Sequence, residues 1–351
     1  MTIDQEKLNQ FMGKFVADFG ATLHAATIIT GEKLGLYKAL AAGPLSPAEL
    51  AEKTGTHERY VREWCAAQAA SGYAEYDAKT GRFSLTPEQA FALADETSPA
   101  YLPGAFLIAA SMIKDEATIT DAFRTGKGVG WHQHHHDLFA GTAKFFRASY
   151  AGNLVGSWLP ALDGVVQKLT AGARVADVGC GYGITTVLMA KAYPRSTFVG
   201  YDYHAPSVEA ARAEALREGV GDRVRFEVGA AKDFPGKDLD LVTFFDCLHD
   251  MGDPIGASKH VLSTLKTDGT WMIVEPFAHD RIEQNLNPVG RVYFSASTHI
   301  CTPASLSQEV GLGLGAQAGE SRLREVIMAG GFKKVRRATE TPFNLVLEAR
   351  P

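Results

Sequence analysis

Three stretches of the 351-residue chain combine reactive side chains with spacings that suit chemistry. The first is Val175-Ala-Asp177-Val-Gly179-Cys-Gly181-Tyr-Gly183, which follows a strand-like run and precedes a helix-like one. Glycines in such a place let the backbone turn sharply and approach a ligand closely. They are spaced GxGxG, unlike the GxGxxG of dinucleotide-binding loops. Asp202 ends the next strand-like run, nineteen residues past Gly183. A carboxylate there accepts hydrogen bonds from both hydroxyls of a ribose. The second stretch is Phe245-Asp246-Cys-Leu248-His249-Asp250-Met-Gly-Asp253-Pro254. With an unperturbed pKa of about 6.5, His249 is the residue type that takes up a proton near neutral pH. Asp250 and Asp253 are expected to cap the helix that follows.

The third stretch is Trp131 with the run His132-Gln-His134-His135-His136-Asp137. Imidazoles and a carboxylate suit transition metals. Adjacent residues project in different directions, however, so no metal is expected. His134, His135, His136 and Phe139 are expected instead to line a substrate pocket or lid. Cys180 and Cys247, close to the first two stretches, read as small packing residues.

These residues need elements to hold them. From Ala171 onward short β-rich runs alternate with helical ones: Arg174–Val178, Thr197–Tyr201, Val224–Val228, Leu239–Phe244 and Thr270–Val274 as strands, and 184–192, 207–218 and 254–265 as helices. That alternation predicts an α/β fold with a doubly wound, Rossmann-like parallel sheet. Two last strands, Lys333–Arg337 and Asn344–Ala349, are separated by six residues. So short a connection makes them an antiparallel pair if they pair at all. Near the other end, Ser46 before Pro47 starts a short helix that stops at Thr54-Gly55, and a second helix starts at Thr56. Strands at Tyr73–Tyr76 and Arg82–Leu85 flank a turn, so helix, turn, helix and hairpin suggest a helical winged-helix domain. A helix is also expected from Phe145 to about Leu162. The organisation expected is a winged-helix domain over 1–100, a helical linker and active-site cover over 101–165, and the Rossmann-like domain over 166–351.

Composition narrows the function classes. Apolar residues make up 46% and charged residues 21%, as in ordinary folded proteins, and 35 basic residues against 40 acidic ones leave a net charge of −5. Residues 1–100 hold nine Lys/Arg and thirteen Asp/Glu, and the second helix mixes Arg59 and Arg62 with Glu58 and Glu63. A DNA-reading helix presents unopposed basic residues, so the winged helix is expected to serve packing or dimerisation, not nucleic acid. The four cysteines form no CxxC pair, the first residues carry Asp4 and Glu6, and no apolar stretch reaches membrane-span length. A cytoplasmic protein with reduced thiols and no membrane partner is expected.

Asp177-x-Gly179-x-Gly181-x-Gly183, Asp202 and the terminal strand pair together resemble the class I S-adenosylmethionine-dependent methyltransferases, over about residues 165–351. The resemblance implies S-adenosylmethionine as cofactor and S-adenosylhomocysteine as product. It gives Gly179, Gly181 and Gly183 to the methionine part and Asp202 to the ribose. Ala231 and Asp233 fall where the family borders the adenine, although Ala230 stands at the usual Asp position. Asp177, Tyr203, Phe245 and Asp246 complete the expected cofactor surroundings, and Tyr150 and Asn153 lie on a helix that covers the cofactor in such enzymes. Leu248-His249-Asp250 through Asp253 is similar to a motif of small-molecule O-methyltransferases with an N-terminal winged-helix dimerisation domain. There the His removes the proton from a substrate hydroxyl and a Glu after strand five orients it, which points to His249 and Glu275. A second orienting Glu of those enzymes is replaced by Gln317, with Glu320 close by. Over the whole chain the sequence looks like a bacterial branch of winged-helix methyltransferases, and a homodimer is expected. The alternatives are methylation of a small thiol, an NAD-dependent oxidoreductase and a non-enzymatic, ligand-sensing regulator.

Overall fold

A computed structural model describes residues 2–351. The chain divides into two units, Met1–Ile113 with His136–Ala148, and Lys114–His135 with Ser149–Pro351.

The first unit opens with the long helix Gln5–Lys33, started by Asp4, whose carboxylate accepts the N–H groups of Glu6 and Lys7. Helices Leu36–Ala41, Pro47–Thr54 and Glu58–Ala70 follow. Ser46 and Glu49 form a reciprocal capping box, and Gly55 closes the same helix at φ 64°. The next helix starts at Glu58 and not at Thr56, because His57 takes the cap position and accepts the N–H of Arg59. Strands β1 (Glu75–Asp77) and β2 (Arg82–Ser84) form the antiparallel hairpin of the wing. Ile28, Leu36, Tyr37, Leu40, Leu50, Val61, Trp64 and Cys65 form the core. Gln68, the polar residue on the buried face, is satisfied there: its Oε1 accepts from Tyr37 at 2.6 Å and contacts His24 Nε2 at 3.0 Å, and its Nε2 donates to Thr27 Oγ1 at 2.9 Å. Trp64 lies so close to the long helix that a Cβ at Gly31 would stand 2.5 Å from its ring.

Leu8, Phe11, Met12, Phe15, Val16, Phe19 and Leu23 recur at helical spacing on that long helix, yet each is 38% to 66% exposed. Phe15 and Phe19 stack on each other at 5.6 Å.

The second unit is built on a seven-stranded sheet of β3 (Arg174–Val178), β4 (Thr197–Asp202), β5 (Val224–Val228), β6 (Leu239–Phe245), β7 (Leu265–Pro276), β8 (Lys334–Glu340) and β9 (Asn344–Arg350). The order is β5-β4-β3-β6-β7-β9-β8. The first five strands run parallel, while β9 pairs antiparallel with both β7 and β8. This is the α/β, Rossmann-like sheet with a terminal antiparallel pair. Strand order reverses between β3 and β6, the place where open α/β sheets bind ligands beyond their carboxyl ends. Trp271 meets Phe244 edge to face and Phe332 at a tilt in the centre of its core, with Val242, Val261, Ile273 and Leu347 around them.

The helix expected from Phe145 begins instead at Asp137 and ends at Asn153. A wide turn at Leu154–Trp158 and a tight one at Leu159–Ala161 take the place of its last two turns. Pro160 explains the break, since it brings no N–H to the helical ladder. All four cysteines are free. Among the described residues no helix is long and apolar enough to cross a membrane.

Candidate functional site

The site is built at the carboxyl ends of β3, β4, β6 and β7. Val175–Val178 pairs with both neighbours of β3, so the glycine loop after it is fixed by the centre of the sheet. Gly179, Gly181 and Gly183 all adopt positive φ, at 72°, 52° and 76°. A Cβ at Gly179 would meet Cys247 Sγ at 2.8 Å, and one at Gly183 would meet the Phe226 ring at 2.5 Å. At Gly181 nothing lies within 4 Å, so this backbone segment presents a face free of side chains.

Asp177 lies beneath the loop and is 1% exposed. Its carboxylate accepts hydrogen bonds from Thr185 at 2.7 Å, Thr186 at 2.6 Å and Thr243 at 3.0 Å. Burial pushes its pKa up to about 6 while the three hydroxyls pull the other way. Asp177 thereby ties β3 to the following helix and to β6. Asp202 accepts the N–H of Gly181 on Oδ2 and that of His204 on Oδ1, both at 2.9 Å. Burial raises its pKa, and those two N–H groups oppose the rise.

The loop after β6 carries the second half of the site. Asp246 has φ 49°, an unusual value for a residue with a side chain. Its Oδ2 accepts the hydroxyl of Tyr150 at 2.8 Å and its Oδ1 accepts Asn344 Nδ2 at 3.2 Å. The Tyr150 ring also lies 5.4 Å from Phe245. Two residues on, the backbone N–H of Leu248 donates to Glu275 Oε1 at 2.9 Å, and His249 Nδ1 donates to Glu275 Oε2 at 2.5 Å. Glu275 ends the buried run of β7 and is 1% exposed, so the imidazole is anchored to the rigid sheet. Burial by itself lowers the His249 pKa, but Glu275 and Asp250 reverse this and hold it well above the ordinary value.

Some expected residues are turned elsewhere. Asp253 does cap the helix Pro254–Thr264, through Gly256 N–H at 2.8 Å. Asp250 does not: its Oδ1 lies 3.1 Å from His249 Nε2 and its Oδ2 accepts the Trp131 indole N–H at 2.9 Å. The reason is local geometry, because a tight turn at Leu248–Asp250 ends the loop before the helix begins. Asn153 donates to Ser149 O on its own helix at 2.8 Å. Asp233 and Tyr203 are exposed, and Ala231 packs at the edge of the sheet core. Gln317 donates to Phe277 O at 3.1 Å, and Glu320 pairs with Arg324 and Arg337. In the histidine run, buried His134 pairs with Asp115 at 2.9 Å, and Asp115 also accepts the N–H of His135. His136 is exposed and pairs with Asp137 at 3.3 Å, while Phe139 is half-buried. Trp131, which opens the histidine stretch, is thus drawn to Asp250, and Cys301 lies beside His249 and Asp250, a contact that no local spacing signals.

The buried carboxylates shape the pH response. Burial and the neighbouring Glu275 push Asp246 to about 7, with Tyr150 opposing. A carboxyl group whose folded pKa lies above its unfolded value near 3.9 keeps its proton longer in the fold, so stability falls as pH rises between those values. Thermal unfolding from pH 4 to 7 is expected to show this decline, and Asp246→Asn to flatten it. An equally steep decline in the variant would contradict the assignment.

Residues 169–316 match the family described as "Methyltransferase domain", and residues 22–95 the "Rv2258c-like winged HTH domain". A mitomycin biosynthesis 6-O-methyltransferase from Streptomyces lavendulae is 24% identical over 268 residues, 73% of this chain and 75% of that protein. Other curated relatives are matched over smaller parts: 5% of a polyketide synthase from Burkholderia thailandensis and 41% of an uncharacterized methyltransferase from Bacillus subtilis. Among solved structures, human N-acetylserotonin methyltransferase in complex with SAM superposes with a TM-score of 0.73 at 15% identity, covering 100% of this chain and 99% of that one. A mitomycin 7-O-methyltransferase gives 0.70 at 20% identity, covering 99% and 100%. A methyltransferase domain implies S-adenosylmethionine, and the residues present fit it. The uncluttered backbone at Gly181 leaves room for a ligand, and Asp202, which accepts the Gly181 N–H, offers a carboxylate beside it. The chain therefore joins a winged helix-turn-helix domain at residues 22–95 to a methyltransferase domain at residues 169–316.

Proposed function

We propose that the chain transfers the methyl group of S-adenosylmethionine to an oxygen of a small molecule, with His249 accepting the proton of the acceptor hydroxyl. The observation that carries this reading is the Glu275–His249 pair, with Glu275 at the end of β7 and His249 in the turn after β6, the strand beside β3 and its glycine loop. A carboxylate accepts only, so Glu275 fixes the proton on Nδ1 and leaves Nε2 as the atom that faces the chemistry. It also stabilises the imidazolium formed when Nε2 takes the acceptor proton.

When bound, the cofactor supplies an electrophilic methyl group on a sulfonium. Gly179, Gly181, Gly183 and Asp202 would hold it, with Tyr203, Ala231 and Asp233 toward the adenosine and Tyr150, Phe245 and Asp246 toward the sulfonium. The chain's own contribution is orientation and proton removal, since in-line attack on a sulfonium needs mainly alignment. His134 and His135 are assigned to the acceptor side of the second unit. His136 and Phe139 belong to the first unit, and their assignment to the acceptor rests on the sequence pattern alone.

The first unit is assigned to dimerisation in a cytosolic protein, not to nucleic acid. Arg59 pairs with Glu63 and Arg62 with Glu58 on their own helix. The seven exposed apolar side chains of helix Gln5–Lys33 offer on the order of 700 Å². That is close to the ~800 Å² per partner of a standard protein interface.

The reading is tested by incubating the full chain with methyl-labelled S-adenosylmethionine and a panel of phenols, catechols and thiols. Label is expected on a hydroxyl oxygen, with His249→Gln lowering turnover by roughly 10²–10⁴-fold. Transfer to thiols alone, or full turnover in His249→Gln, would overturn it. For the dimer, light scattering should give twice the chain mass for the wild type and the single mass for Phe15→Glu/Phe19→Glu. A monomeric wild type at micromolar concentration would remove the dimer assignment.

A further inference from the structure

His249 is confronted by a carboxylate at each ring nitrogen. Glu275 takes Nδ1 at 2.5 Å, while Asp250 Oδ1 stands 3.1 Å from Nε2. The two contacts differ in kind. Glu275 is locked by Leu248 N–H and by the sheet. Asp250 Oδ1 is buried and receives no well-aligned hydrogen bond; the imidazole at 3.1 Å and the Cys301 thiol are its neighbours. Its other oxygen is held by Trp131 Nε1 at 2.9 Å, and its backbone carbonyl by Gln308 Nε2 at 2.8 Å. The main chain of Asp250 is therefore pinned, and one of its two carboxylate oxygens has the weaker attachment.

We propose that Asp250 is a positioning residue that controls when His249 can act as the base: it covers the ring nitrogen that must receive the acceptor proton, and the acceptor hydroxyl has to displace it. The proposal rests on the reading of His249 as the base. With Asp250 in place, an imidazolium between two carboxylates leaves one net negative charge, whereas a neutral imidazole would leave two in a buried site. The first arrangement is favoured, so the ring keeps both protons. On displacement the Nε2 proton passes to Asp250 Oδ1, and the carboxyl group withdraws as the neutral acid toward Trp131. The Nε2 lone pair is then open to the acceptor hydroxyl, whose proton it takes as the oxygen–methyl bond forms and the sulfur–methyl bond of S-adenosylmethionine breaks, the electron pair staying on the sulfur of S-adenosylhomocysteine. Asp250 afterwards returns its proton to solvent.

Other groups face the imidazole and enter the balance. Asp246 and Cys247 come from the loop after β6, Tyr293 from the helix Pro288–Ala296, and Cys301 from the turn Ser297–Cys301. Burial pushes the Cys301 thiol up to about 12, so it adds no charge near neutral pH. Glu275 and Asp250 remain the two groups whose charge raises the His249 pKa most.

The test is nuclear magnetic resonance of the full chain with ring-¹⁵N histidine, saturated with S-adenosylhomocysteine and titrated from pH 5 to 9. His249→Gln identifies the signal. Both ring nitrogens of His249 should be protonated at pH 7, and Asp250→Asn should lower the midpoint by at least one pH unit, a tenfold loss of proton affinity. A wild-type Nε2 without a proton at pH 7 overturns the proposal, and this needs no variant to fold. An unchanged midpoint in Asp250→Asn also overturns it. If turnover is still lost in His249→Gln, only the role of Asp250 falls; if turnover survives, the base reading itself fails.

Discussion

One buried carboxylate organises the loop after β6 and its side of the candidate site. Glu275 lies at the end of a strand flanked by β6 and β9, and both of its oxygens are engaged by the loop after β6. One fixes the backbone at Leu248 and the other the imidazole of His249. Because the pair is buried, its electrostatics are stronger than on the surface, and a lost partner would leave an uncompensated charge. The same carboxylate sets the tautomer of His249, raises its proton affinity and adds to the upward push on Asp246.

The glycine-loop side of the candidate site has a parallel device in Asp177. Three threonine hydroxyls from the following helix and from β6 converge on one carboxylate. They hold the glycine loop at the point where strand order reverses, without placing a side chain on its open face. The two halves meet where Cys247 stands against Gly179, and Cys247 Sγ reaches Val178 O at 3.4 Å. A larger residue at either position would push the two loops apart.

Much of this was legible in the sequence because it follows from local rules. Buried parallel strands appear as short apolar runs, so β3 and β5 coincide with their expected bounds, and the glycine spacing marks the loop. Glu275 follows a strand pattern and a known motif. What escaped depends on distant partners. Asp250 looks like a cap next to Asp253, yet Trp131, 119 residues earlier, and the His249 ring claim its carboxylate. Asn153 donates to Ser149 O on its own helix, a bond to the preceding turn that the residue type alone does not announce. The exposed stripe on Gln5–Lys33 was missed for a different reason: its apolar residues have the helical periodicity of a buried face, yet each stays 38% to 66% exposed.

We propose above all that the glycine loop and Asp202 bind a sulfur nucleoside for methyl transfer. Calorimetric titration of the full chain with S-adenosylmethionine, S-adenosylhomocysteine and NAD tests it most directly, alongside Asp202→Ala. One site per chain is predicted for both sulfur nucleosides, with none for NAD and a large loss of affinity in Asp202→Ala. Binding of NAD in their place, or sulfur-nucleoside affinity unaffected by Asp202→Ala, would contradict the account.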